Sequence, residues 1–216
     1  MRGSVAILLS GALLACGATT PDDDASKNTW TASPTGQQGV TSGSELERYF
    51  PLVDGNVYQY VTEGETGEQG MLVARVHRAD AARGELRFPS GAKRFEYVSD
   101  GLKISTGMGQ AYVLKTPIAV GTSWTGEHGG QTRIISVNAI IDVKAGHFTG
   151  CVQTLEERRG DRPVKYATTF CPGTGIVLLE AASGAALERA ELSSYGAPVK
   201  LGPDGVFKTQ TTPPPQ

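Results

Sequence analysis

Three cysteines, three histidines and one pair of adjacent glutamates are the residues here whose chemistry needs testing first. A reactive thiol needs a neighbouring base, a Cys-x-x-Cys spacing or a helix N-terminus to lower its pKa, and Cys151 and Cys171 have none of these. His77, His128 and His147 fall in no His-x-x-x-His or Cys/His pattern, so a metal site is not expected. His128 lies among glycines and reads as a solvated loop residue. Glu156 and Glu157 are consecutive; on a strand they point to opposite faces, the wrong arrangement for paired acid and base work. Ser105, Ser123 and Ser193 lack the Gly-x-Ser-x-Gly setting of a hydrolase elbow. Gly173-Thr174-Gly175 lacks the third glycine and following helix of a phosphate loop. Asp22-Asp23-Asp24 has no calcium-loop continuation. Arg159-Gly160-Asp161 has the letters of an adhesion tripeptide, but turn chemistry accounts for it. No catalytic, cofactor-binding or metal-ligating residue is expected, and no cofactor.

What must position these residues is a set of strands. Phe148 to Arg158 and Val164 to Cys171 flank the turn-rich Arg159-Gly160-Asp161-Arg162-Pro163. A hairpin folded about Asp161 sets Cys151 opposite Cys171, Val152 opposite Phe170, Thr154 opposite Thr168, Leu155 opposite Ala167 and Glu157 opposite Lys165. Directly opposed positions are close enough for a disulfide between Cys151 and Cys171. Further strands are expected at Val57 to Thr62, Met71 to Ala79, Glu85 to Phe88, Arg94 to Ser99, Leu102 to Thr106, Ala111 to Lys115, Thr132 to Lys144, Gly175 to Ala182 and Ala186 to Ser194. Asp100-Gly101 reads as a two-residue hairpin turn pairing Tyr97 with Ile104 and Val98 with Lys103. Ser44 to Phe50 is expected to form a single helical turn, with Ser44 as N-cap and Glu47 completing a capping box. The expected fold is all-β: an antiparallel meander of about ten to eleven strands forming a curved sheet or barrel, with at most one short N-terminal helical turn.

Upstream, Val5 to Ala15 is too short to cross a bilayer but has the length of a signal-peptide core, and Leu13-Leu14-Ala15-Cys16 matches a bacterial lipobox. The expected mature protein begins at Cys16, carrying several fatty acyl chains, palmitate among them, which suffice for stable membrane anchoring. Gly17, rather than an Asp, favours the outer membrane; in a source without one, the outside of the cell membrane is expected. The chain then divides into a signal peptide at 1–15, a lipid-anchored flexible tether at 16–44, one β domain at 45–196 and a mostly disordered tail at 197–216. Loss of Arg2 with the signal leaves 19 basic against 22 acidic residues, a net charge of −3, and Lys and Arg are scattered. Nucleic acid is therefore not an expected partner.

A set of motifs recurs in order: Gly55-Asn56-Val57-Tyr58-Gln59-Tyr60; Pro117-Ile118 with Val120-Gly121-Thr122-Ser123-Trp124; Ala145-Gly146-His147-Phe148; and Pro172-Gly173-Thr174-Gly175-Ile176-Val177. From Tyr49 to Val177 the chain resembles a group of uncharacterised bacterial exported proteins, mostly lipoproteins, with these elements spaced along a β-rich domain. The resemblance implies an envelope β protein and no activity. Gly121, Gly146, Gly173 and Gly175 fall where turns or bulges need positive φ. Tyr58, Tyr60, Trp124, Phe148 and Phe170 beside them read as core rather than as an aromatic binding platform.

The expected function is a non-catalytic envelope lipoprotein, held to the membrane through Cys16 and docking on an unidentified envelope protein partner as an interaction or scaffold module. The alternative is a carrier of a lipid or other hydrophobic ligand, which requires the concave face of the sheet to be apolar and unfilled.

Overall fold

A computed structural model of the chain describes residues 43–107 and 109–198. The expected signal peptide, Cys16, nearly all of the tether and most of the tail lie outside the described residues.

Helix α1 (Gly43–Tyr49) is followed by β1 (Val57–Glu63), β2 (Gln69–Arg78), β3 (Arg83–Phe88), β4 (Gly91–Val98), β5 (Gly101–Thr106) and β6 (Gly109–Lys115). Then come β7 (Ser123–Thr125), β8 (Gln131–Val143), β9 (Gly146–Arg158), β10 (Val164–Cys171), β11 (Gly175–Ser183) and β12 (Ala186–Gly196). All neighbouring pairs are antiparallel, in the order β6-β5-β4-β3-β2-β1-β12-β11-β10-β9-β8-β7. The sheet is thus a meander whose first and last strands pair with each other and whose break falls between β6 and β7. It curls into a nearly closed barrel: across the break, the Trp124 indole Nε1–H donates to the Tyr112 carbonyl at 3.0 Å.

The Cys151/Cys171 hairpin has the expected register, with Val152 opposite Phe170, Thr154 opposite Thr168, Leu155 opposite Ala167 and Glu157 opposite Lys165. Two expectations need correction. Twelve strands form among the described residues, not ten or eleven; β7 has only three residues, too few to display an alternating pattern. The β4–β5 turn is Ser99-Asp100, pairing Val98 with Gly101 and Tyr97 with Leu102. Gly101 serves as a strand residue, because a Cβ there would meet the Leu114 carbonyl at 2.6 Å and the Tyr112 ring at 2.8 Å. Its glycine answers to close strand approach, not to turn conformation. Helix α1 is the expected short N-terminal helix, and its Glu47 pairs with Arg78 of β2.

Alternation along the strands turns Tyr58, Tyr60, Val76, Phe95, Leu102 and Phe170 inward, each buried. The space they enclose is filled by the chain's own N-terminal segment. Leu46 and Leu52 are 0% exposed and Phe50 4%, and α1 packs against β4 on one side and β10 and β11 on the other. Polar bonds fix this plug. Gly173 N–H donates to the Arg48 carbonyl at 2.6 Å, satisfying a helix C-terminal acceptor, and Tyr97 OH donates to the Phe50 carbonyl at 2.5 Å.

Candidate functional site

The barrel has two ends. The helix end carries α1, the start of β1 and the β6–β7, β8–β9 and β10–β11 connections. The turn end carries the β1–β2, β3–β4, β5–β6, β7–β8, β9–β10 and β11–β12 turns. Chemistry-bearing side chains gather in two places, an inward corner at the turn end and the break between β6 and β7.

At the turn end, Thr132 of β8, Glu156 of β9 and Tyr166 of β10 lie opposite one another on neighbouring strands. Glu156 faces inward and is 6% exposed. A buried carboxylate needs partners, and the β7–β8 loop supplies them. Oε1 accepts the backbone N–H of His128 at 2.9 Å and of Gly130 at 2.8 Å, and Oε2 lies 3.0 Å from His128 Nδ1. The imidazole stacks on Tyr166 with ring centroids 3.7 Å apart. Burial raises the Tyr166 phenol above its ordinary pKa. Gly126 must lack a side chain because a Cβ would collide with Thr132 Oγ1 and the Glu156 carboxylate. His128 is exposed in the β7–β8 loop, as expected, and its ring also has two partners, the buried Glu156 carboxylate and the Tyr166 ring. The signal was in the sequence. Strand parity placed Glu156 inward, and an inward glutamate demands a donor such as this glycine-flanked loop.

A Glu–His pair is also the core of a general base, but here the carboxylate is engaged by the loop backbone as well as by the ring. Both carboxylate oxygens hold the loop, and the ring is packed against Tyr166 instead of lining the nearby cleft. Glu157, one residue on, faces outward between Arg133 and Lys165, and hydrogen bonding from Arg133 lowers its pKa. The two glutamates thus lie on opposite faces, as alternation requires.

The cleft at the break encloses about 380 Å³ and is lined by Gln110 and Tyr112 of β6, Lys115, Trp124, Glu127 and Gly129. Its charges are paired: Lys93 Nζ holds Glu127 at 2.6 Å, and Lys115 lies 3.5 Å from Asp100. The Tyr112 hydroxyl donates to Asp100, and this bond lowers the Asp100 pKa.

The remaining candidates are dispersed. Each histidine has its own carboxylate: His77 with Asp54, His128 with Glu156, His147 with Asp142. Among the described residues no group of three or more His, Cys, Asp or Glu is placed to hold a metal ion. Gly173-Thr174-Gly175 receives the helix C-terminus. Ser193 Oγ donates to the Gln59 carbonyl at a β-bulge. Arg159-Gly160-Asp161 is exposed in the β9–β10 turn. Cys151 and Cys171 are bonded to each other with Cα atoms 4.3 Å apart, both fully buried. Tyr58, Tyr60, Trp124 and Phe170 are core residues; burial pushes the Tyr58 phenol up to about 12 and raises those of Tyr60 and Tyr97.

No protein-family model matches the chain, and no curated protein matches it. Among solved structures it is similar to a candidate exported protein with a YmcC-like fold from Bacteroides fragilis, at 11% identity and a TM-score of 0.44. It is also similar to a candidate lipoprotein from Parabacteroides distasonis, at 11% identity and a TM-score of 0.46. Each likeness covers 68% of this chain and 98% of the other. At such identities and scores neither bears on what this chain does.

Proposed function

We propose that the chain is an exported, lipid-anchored, non-catalytic envelope protein that works through its outer surface, as an interaction or scaffold module of a larger assembly. The observation that supports this most is the filled interior. A carrier would need an apolar lumen of some 300 Å³ or more, whereas the void beside Phe50, Tyr58 and Tyr60 is about 20 Å³, room for about one water, and the 380 Å³ cleft opens at the β6–β7 break and is lined in part by Gln110, Lys115 and Glu127. The concave face is apolar where α1 and Phe50 to Leu52 occupy it, and toward the turn end it carries the buried Thr132, Glu156 and Glu188. The outer surface offers an attachment point. Beyond Ile134, β8 has β9 on one side and no ladder partner on the other among the described residues, and Ile135 and Ile140 are exposed there. An unpaired edge of this kind can accept a partner strand.

Two measurements test the proposal. Native mass spectrometry of the mature chain recovered from its own envelope without detergent should give a bare protein or a complex with other envelope proteins. A stoichiometric lipid-mass adduct would replace the module reading with the carrier. Cys16→Ser should move the protein from the membrane to the soluble exported fraction; unchanged membrane retention would remove the lipid anchor.

A further inference from the structure

We propose that the free edge of β8 beyond Ile134 is covered by the chain's own C-terminal tail, with residues 206–212 pairing antiparallel to β8 as a further strand that a partner must displace. The inference rests on the module reading above and adds how its attachment edge is kept closed. A sheet edge offers backbone N–H and C=O groups to any extended chain, and natural proteins cover or blunt such rows. Residues 135–142 of β8 form a row of this kind. β7 reaches only Arg133, the residues before it reach only Ile134, whose carbonyl accepts the Gly121 N–H at 2.9 Å, and no other described strand pairs on that side. Ile135 and Ile140 stand exposed along it. Unpaired backbone groups are met by another backbone, so the occupant is an extended polypeptide segment rather than a lipid or a small molecule.

The tail has the length, the direction and the composition for this place. It leaves β12 at Gly196 on the helix end, where β8 also finishes. The tip of the β8–β9 hairpin lies against β12 there: Ala145 N–H donates to the Leu192 carbonyl at 2.9 Å, Lys144 N–H donates to Glu191 Oε1 at 2.6 Å, and the Phe148 ring is 6.2 Å from that of Tyr195. The path from Gly196 back to Leu192, across to Ala145 and on to Asp142 is at most about 28 Å, at roughly 3.3 Å per residue and 5 Å between strands. Residues 197–205 span up to about 30 Å when extended. Beyond them, 206–212 is a run of seven residues between Gly205 and Pro213, and five of the seven are Val, Phe or Thr, types that favour strands. A segment that starts from the helix end runs against the direction of β8, as a hairpin partner does. The N-terminal tether finishes at that end instead and would lie parallel to β8. Setting Phe207 beside Ile140 also sets Thr209 beside Asn138 and Thr211 beside Ser136, an aromatic–aliphatic pair and two pairs able to hydrogen-bond. The covalent link gives the segment an effective concentration on the order of millimolar, so weak pairing suffices to fill the edge.

Hydrogen exchange of the mature chain, at full length and ending at Pro198, tests the pairing. In the full chain the amides of residues 135–142 that point away from β9 should exchange roughly tenfold more slowly than in the shortened one. A synthetic peptide of residues 199–216, added to the shortened chain at millimolar concentration, should restore the protection. Lys208→Pro together with Thr209→Pro in the full chain removes a ladder donor in either register and should match the truncation. Equal exchange with and without the tail overturns the proposal. So does protection that the two prolines leave intact, or that falls on β6 instead of β8. The module reading stands or falls separately: a stoichiometric lipid-mass adduct in native mass spectrometry removes it whatever the exchange shows, whereas an edge equally open in both chains leaves it in place with a free attachment site.

Discussion

Phe50→Ala should cost about 3 to 5 kcal/mol, the usual range for deleting a fully packed phenyl group. The ring is 4% exposed and lies 4.8 Å from Phe95 and 6.5 Å from Phe170, centroid to centroid, so it joins the β4 and β10 walls of the barrel. The substitution removes both of these tilted aromatic pairs, and such pairs add roughly 0.5 to 1.5 kcal/mol beyond area burial. The surrounding strands are held by their ladders and cannot collapse onto the space, which places the cost toward the upper part of the range. Urea denaturation of the mature chain would read it as a lower midpoint at unchanged slope. At about 2 to 4 °C per kcal/mol for a chain of this size, melting should fall by roughly 6 to 20 °C. The same variant should acquire a dry cavity that binds a small apolar molecule such as benzene, with a measurable rise in melting temperature. A loss below about 1 kcal/mol with no benzene effect would mean that Phe50 does not fill the barrel, and the carrier reading would return.

Glu156→Ala leaves the buried amide of Gly130 without its acceptor, at about 1 to 3 kcal/mol, and the part-buried amide of His128 likewise, at a smaller cost. Hydrogen exchange should quicken at Gly126 to Gly130 before it does in β1 or β12; protection as in the parent would refute the clamp. Cys151→Ser opens a cross-link of sequence separation 20, worth about 3 kcal/mol by loop-closure arithmetic. Parent and variant should melt apart in oxidant and together in reductant, and equal melting in both would remove the contribution. Alkali should destabilise the fold: with Tyr58 raised to about 12, the unfolded chain ionises first. Its contribution is whole below about pH 10 and falls away as pH climbs toward 12, which a 295 nm titration paired with urea melts at pH 8 and about 11 would detect.

Sequence alone determined the local relations of this protein. Alternation and turn residues placed most strands, and the turn about Asp161 defined the hairpin register, because a two-residue period and a short connection leave one pairing that keeps both faces consistent. Positive φ at Gly121, Gly146, Gly173 and Gly175 was legible for the same reason, since backbone sterics act locally. Parity separated Glu156 from Glu157 without any structure. What only the tertiary structure decided depends on residues far apart in sequence. The pairing of β1 with β12, the break between β6 and β7, and the three-residue β7 have no local signature. Gly101 looked like a turn glycine because its neighbour was Asp100; only the approach of Leu114 and Tyr112 from the next strand revealed its role. The stretch from Ser44 to Phe50 read as a helical turn, but nothing in it told whether it would lie outside the barrel or fill it. That choice came from the size of the lumen, which is set by twelve curved strands together and by the bulk of the side chains they turn inward.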